Sequence, residues 1–135
     1  VFHFISSSPW QLYTELAEFS RSSGFPAATF HLKFFRVKDR TILDLFKSGE
    51  ETKPKQIEPI MDAFLGRSFI LVGDSGERDP EVYGAIFRTR PQQIRHIYIR
   101  NVTGERLDNA RFTKALEGVP KERLTLFEDP GTLAP

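Results

Sequence analysis

Short apolar runs and amphipathic stretches take turns along this chain, and the alternation predicts strands and helices in succession. Residues 1–5 are apolar apart from His3 and end in Ser6-Ser7-Ser8. Leu12, Leu16 and Phe19 then recur at helical spacing, with Ser8 and Gln11 as a capping box, Pro9 at the first helical position and Gly24 as the stop. Phe30, Leu32 and Phe34 alternate with polar neighbours as in a strand. Ile57, Ile60, Met61, Phe64 and Leu65 share one helical face that Gly66 ends. Pro59 belongs in the first turn of that helix, which places the start near Lys55 or Gln56. The unbroken run from Phe69 to Val72 predicts a strand buried on both faces, as inside a parallel sheet. A helix capped by Asp79 and opened by Pro80 follows, carrying Val82, Tyr83, Ile86 and Phe87 inward and stopping before Pro91. Asp108 is expected to cap a short helix with Phe112, Ala115 and Leu116 on its face, closed by Gly118. Strands are expected near residues 2–6, 30–34, 69–72, 95–100 and 124–127, and the order argues an α/β fold with a mainly parallel sheet.

The chemistry gathers where predicted strands give way to helices. In open α/β sheets, ligands bind beyond the carboxyl ends of the strands. Gly73 ends the apolar run and Asp74 follows it, so Asp74 and Asp79 are delivered to that edge. A carboxylate directly after a buried strand needs a partner or a metal, because desolvating it alone is costly. Asp79 reads equally well as a helix cap, and Glu81 as a partner of the helix dipole. Ser6 and Ser7 offer hydroxyls next to a helix N-terminus, where anions bind. Lys53 and Lys55 stand at a predicted helix start, the unfavourable end for a cation, although a solvated loop lysine is the commoner case. His3 reads as a packed strand residue. Gly76 is not followed by Lys-Ser or Lys-Thr, which excludes a nucleotide P-loop.

Composition narrows the setting. The 135 residues suffice for one domain and one core, and thirteen phenylalanines promise an aromatic one. A net charge of +1 gives no electrostatic case for nucleic acid. With no cysteine, disulfides and thiolate metal sites are excluded. Neither a membrane-length apolar run nor a signal peptide is visible, and a cytoplasmic location is the expectation. The chain opens inside a strand-like run, at Val1, and is expected to be the later part of a longer protein.

A serine after a strand, a lysine at a helix start and Gly-Asp followed by a second Asp together resemble the haloacid dehalogenase (HAD) superfamily of phosphatases. Residues 2–12, Phe-His-Phe-Ile-Ser-Ser-Ser-Pro-Trp-Gln-Leu, and residues 73–83, Gly-Asp-Ser-Gly-Glu-Arg-Asp-Pro-Glu-Val-Tyr, resemble more narrowly the catalytic domain of the actin-patch-linked phosphatidate phosphatases. Ile97-Tyr-Ile-Arg100 fits the next strand of that family. The resemblance implies a three-layer α/β sandwich with a Rossmann-like, HAD-like sheet, and residues 1–135 as part of one catalytic domain. It implies a magnesium-dependent hydrolase in which an aspartate attacks phosphorus. Ser6 and Ser7 would bind the phosphate, Lys53 would neutralise transition-state charge with Lys55 as fallback, and Asp74 and Asp79 would serve the metal. Substrates would be a phosphorylated small molecule or phosphatidate.

One departure is large. No Asp-x-Asp pair occurs in the chain, so the family's nucleophile segment, carried on the central strand, is missing from it. The competing reading is a non-catalytic phosphate-binding or protein-interaction module of the same fold. A serine hydrolase ranks below both, since no Gly-x-Ser-x-Gly elbow is present. Phe34, Phe35, Ile42, Leu45 and Phe46, with Arg36, Lys38 and Arg40, form a candidate surface for an anionic membrane, against the commoner reading of a buried packing segment.

Overall fold

The computed structural model describes residues 1–33, 49–106 and 108–133, with the backbone alone for residues 49–52. The fold is α/β and every strand pairing is parallel among the described residues. Two compact units divide the chain, Val1–Ile60 and Met61–Pro135. The expected strand position Phe34 and the candidate membrane-facing segment 34–46 lie outside the described residues.

In the first unit, strand β1 (Phe2–Pro9) pairs with β2 (Ala28–Lys33) in the register Phe2↔Ala28 to Ile5↔His31, and the register shifts before Pro9↔Lys33. The serines occupy this irregular part. Ser8 was expected to cap a helix, but β1 runs on through Pro9, which is extended at φ −67° and ψ 146°. A 3-10 turn (Trp10–Leu12) then leads into helix α1 (Tyr13–Ser22). The Ser8 amide donates to Ser6 Oγ at 3.1 Å and Ser6 Oγ donates to Ser8 Oγ at 3.0 Å. These local bonds compete with capping, and they win here. Gly24, at φ +75°, closes the helix as predicted. The expected apolar face is weaker than its spacing suggests, because Leu12 and Phe19 are exposed. Leu16 helps to line an apolar hollow of about 210 Å³ together with Phe4, Phe25 and Phe30.

Helix α2 (Gly49–Ala63) corrects the expected start near Lys55 or Gln56. It contains both Pro54 and Pro59. Each proline withdraws one N–H from the carbonyl four residues earlier, yet a helix can bend and continue past such a loss. Lys53 and Lys55 therefore lie within the helix and not at its first residue. Ile57 and Met61 are buried, whereas Phe64 and Leu65 fall beyond the last turn and are exposed, so they do not extend the apolar face.

The second unit holds β3 (Phe69–Asp74), β4 (Ile94–Arg100) and β5 (Leu124–Phe127) in the order β3-β4-β5. Register is set by Leu71↔Ile97 and Ile97↔Leu124. Helices α3 (Asp79–Thr89) and α4 (Ala110–Ala115) supply Val82, Tyr83, Ile86, Phe87 and Phe112 to the core, with Ile97 and Ile99 from the central strand. The expectation that β3 is buried on both faces is corrected. Ile70 and Val72 are 52% and 64% exposed, so alternate residues of β3, which pairs only with β4 among the described residues, face outward. One cap assignment also changes. Asn109, not Asp108, caps α4 by accepting from the Phe112 amide at 2.8 Å, and Asp108 pairs with Arg106 at 2.9 Å. Arg88 donates to the carbonyls of Ala115 and Glu117, both at 3.1 Å, and ties the end of α4 to α3.

The helices pack tightly at Gly84, where an added Cβ would overlap the Ala115 carbonyl oxygen. Backbone cannot swing aside as a side chain can. Gly84→Ala is expected to destabilise the fold by about 1–3 kcal/mol through overpacking, read as a lowered urea midpoint.

Candidate active site

The Gly73–Glu81 segment folds its two aspartates towards each other. Asp74 is the last residue of β3, and its amide donates to Asp79 Oδ2 at 3.1 Å. Asp79 was expected as a possible cap of α3, but it is the first helical residue and Arg78 occupies the cap position without a side-chain bond. The Asp79 carboxylate, 5% exposed as a residue, turns back to the strand end instead. It can do so because Gly73 has no Cβ: one placed there would overlap that carboxylate. Asp74 Oδ1 accepts from the amides of Gly76 at 2.8 Å and Glu77 at 3.3 Å, forming an Asx turn. Its Oδ2 has no hydrogen-bond partner among the described residues.

The loop between them is held from several sides. Ser75 Oγ is buried and accepts from the amides of Val102 at 3.0 Å and Thr103 at 3.3 Å. It also meets Thr103 Oγ1 at 2.9 Å and Asn101 Oδ1 at 3.3 Å. Asn101 is itself buried and donates to the Glu105 carbonyl at 2.7 Å. Tyr83 donates its hydroxyl to the Val72 carbonyl at 2.9 Å. Burial first, then the charges of Asp79, Asp74 and Glu77, push its phenol far above the usual value, so it remains a donor.

Glu81 was read only as a dipole partner, and the structure adds a further role. Arg111 Nε donates to Glu81 Oε1 at 2.9 Å and Arg111 Nη2 to Glu81 Oε2 at 3.2 Å, a bidentate pair. Burial would raise the Glu81 carboxyl. The Arg111 hydrogen bonds, with a backbone bond and the charges of Arg111 and Arg78, outweigh burial and hold it below its ordinary value of 4.5. Sequence reasoning missed Arg111 and Ser75. Ser75 lay inside the Gly-Asp-Ser-Gly block and could have been found there, whereas Arg111 carries no local signal.

The remaining expected site residues belong to the first unit. Ser6 Oγ is engaged with Ser8, while Ser7 Oγ is buried with no hydrogen-bond partner among the described residues. A buried hydroxyl in that state calls for a partner. Lys53 is only 8% exposed, whereas Lys55 is exposed, so burial singles out Lys53 of the two. The structure thus brings Asp74 and Asp79 together, and places Ser6, Ser7 and Lys53 on β1 and α2.

Fold and loop define an α/β protein that gathers carboxylates at the carboxyl end of a parallel strand, where such sheets place their ligands. The chain belongs to the family described as phosphatidate phosphatase APP1, catalytic domain, whose model matches residues 1–101. It is 35% identical over 99 residues, 73% of the chain, to phosphatidate phosphatase APP1 of Saccharomyces cerevisiae. It is 27% identical over 104 residues, 76% of the chain, to an uncharacterized protein of Schizosaccharomyces pombe. The matches span 16% and 17% of the length of these two relatives. No solved structure matches the chain significantly.

The Glu81–Arg111 pair gives a pH prediction. A carboxylate whose folded pKa is depressed contributes stability that is present above its unfolded value and lost as pH falls through the folded one. The denaturation midpoint is expected to drop as pH is lowered below about 4.5, the unfolded value. Glu81→Gln should flatten that part of the profile in urea melts taken at successive pH values.

Proposed function

We propose that this chain carries the phosphate-binding and metal-side elements of a magnesium-dependent phosphatase that hydrolyses a phosphomonoester, with phosphatidate as the leading substrate. The observation that carries the reading is the folding of Asp79 back onto the Asp74 amide, within a segment that the family match covers. Asp74 and Asp79 fit a small hard cation, because their donors are oxygen only and Asp74 Oδ2 has no hydrogen-bond partner among the described residues. Magnesium is commonly held by one or two carboxylates and completed by water and substrate phosphate. When bound, magnesium would neutralise charge on the phosphate.

The chain's own residues would do the rest. Ser7 would donate its hydroxyl to a phosphoryl oxygen, Ser6 would do so by turning its hydroxyl away from Ser8, and the Lys53 ammonium would offset charge as the phosphoryl group transfers. The reading needs an aspartate nucleophile. Its carboxylate would attack phosphorus while the leaving oxygen takes a proton, and water would then release phosphate from the acyl phosphate. That aspartate belongs to a segment other than these 135 residues, which contain no Asp-x-Asp pair. β1 pairs only with β2, and β3 only with β4, so each has an edge without a strand partner among the described residues. Such edges support a HAD-like sheet completed by a further strand.

Asp74→Asn tests the reading in the full-length protein. The amide keeps the volume and an oxygen for the Gly76 and Glu77 amides, so the fold should persist. Magnesium-dependent phosphate release from phosphatidate and simpler phosphomonoesters is expected to fall by at least ~100-fold, the upper end for loss of a supporting metal contact. A folded variant with undiminished turnover would sink the assignment.

A further inference from the structure

The loop that presents Asp74 is held by a side chain that enters from α4, past the end of the matched segment. Arg111 Nη1 donates to the Ser75 carbonyl at 2.7 Å, and its Nη2 donates to the Glu77 carbonyl at 2.6 Å. The same guanidinium makes the bidentate pair with Glu81, and its Nη1 stands 3.6 Å from Glu105 Oε2. One planar group therefore grips both ends of residues 75–77 and the first turn of α3. Those three residues include the two amides that hold Asp74 Oδ1. The first turn of α3 carries Asp79. Geometry of this kind needs the fork of an arginine; a lysine ammonium is a single point charge with no planar spread of donors.

We propose that Arg111 is a positioning residue for the Asp74–Asp79 site, fixing the 75–77 loop so that both carboxylates are set for a divalent cation. The inference rests on the phosphatase reading above and extends it beyond residue 101, where the family match stops. Arg111 acts through the loop backbone, and its charge is answered by Glu81 and Glu105. Its worth to the site is geometric. Supporting contacts around a metal site typically change affinity or activity by 10–100-fold. Freed of the guanidinium, the Gly76 and Glu77 amides would no longer hold Asp74 Oδ1 in one place, and the cation would find a looser ligand.

The test compares wild type, Arg111→Lys and Arg111→Met in the full-length protein. Two quantities are read against magnesium concentration: the rise in melting temperature, and phosphate release resolved into kcat and KM for the ester. Expected is a roughly 10–100-fold higher magnesium concentration for half effect in both variants. The ester KM at saturating magnesium should stay near wild type, and lysine should not rescue the shift. A purely structural role would lower the melting temperature without magnesium and leave the half-effect concentration in place, and that result overturns the inference. If neither Arg111 variant folds, Glu81→Gln decides, because it removes the carboxylate that aims the guanidinium. A raised magnesium requirement in it supports the proposal, and an unchanged one overturns it. A wild type with no response to magnesium in either readout overturns the phosphatase reading and this inference with it. A responsive wild type whose variants keep its half-effect concentration overturns this inference alone.

Discussion

Two carboxylates five residues apart repel unless something intervenes, and in this chain the intervening group is the backbone itself. The amides of Asp74, Gly76 and Glu77 all point at aspartate oxygens. A turn that aims several N–H groups inward makes a local field favourable to negative charge. It forms only if the residue before Asp74 has no side chain, which is why Gly73 is needed. The turn must also be kept from unwinding, which is where the Ser75 hydroxyl and the Arg111 guanidinium enter. The rest of the second unit can be read as support for this arrangement: a parallel strand to deliver it and a helix to receive it.

The parallel pairing sets how the support is built. Parallel neighbours cannot be joined by tight hairpins, so each strand must be followed by a crossover. In the second unit α3 lies between β3 and β4, and α4 between β4 and β5, along the chain. Each crossover places a helix start after a strand end, and that repeated junction concentrates hydroxyls, carboxylates and amides there. Core contacts elsewhere are ordinary by comparison. Phe112 and the isoleucines of β4 fill space, and Gly84 lets two helices close on each other.

Much of this was readable from residue order. Apolar runs placed all five strands to within a few residues, with β5 as expected at residues 124–127. The Phe112 face of α4 and the Val82–Phe87 face of α3 also emerged as predicted. Failures came where a local rule met a competing partner. Ser8 prefers Ser6 to a helix amide, Asp79 prefers the Asp74 amide to its own helix, and α2 continues through two prolines. The two-sided burial of β3 failed for another reason: an apolar run does not say whether both faces of its strand are covered, and Ile70 and Val72 face outward. Arg111 was beyond reach, since its partners in the acidic loop and α3 lie 30 to 36 residues away and no pattern near it marks the contact.

That separation has a consequence for how the molecule comes into being. A ribosome adding about 5–20 residues each second needs roughly 2–7 s to pass from Ser75 to Arg111. During that interval the acidic turn has its glycines and amides but not its guanidinium. The nascent site must wait for a residue from the far side of β4, so its completion tracks the growth of the chain and not the formation of its own local turn.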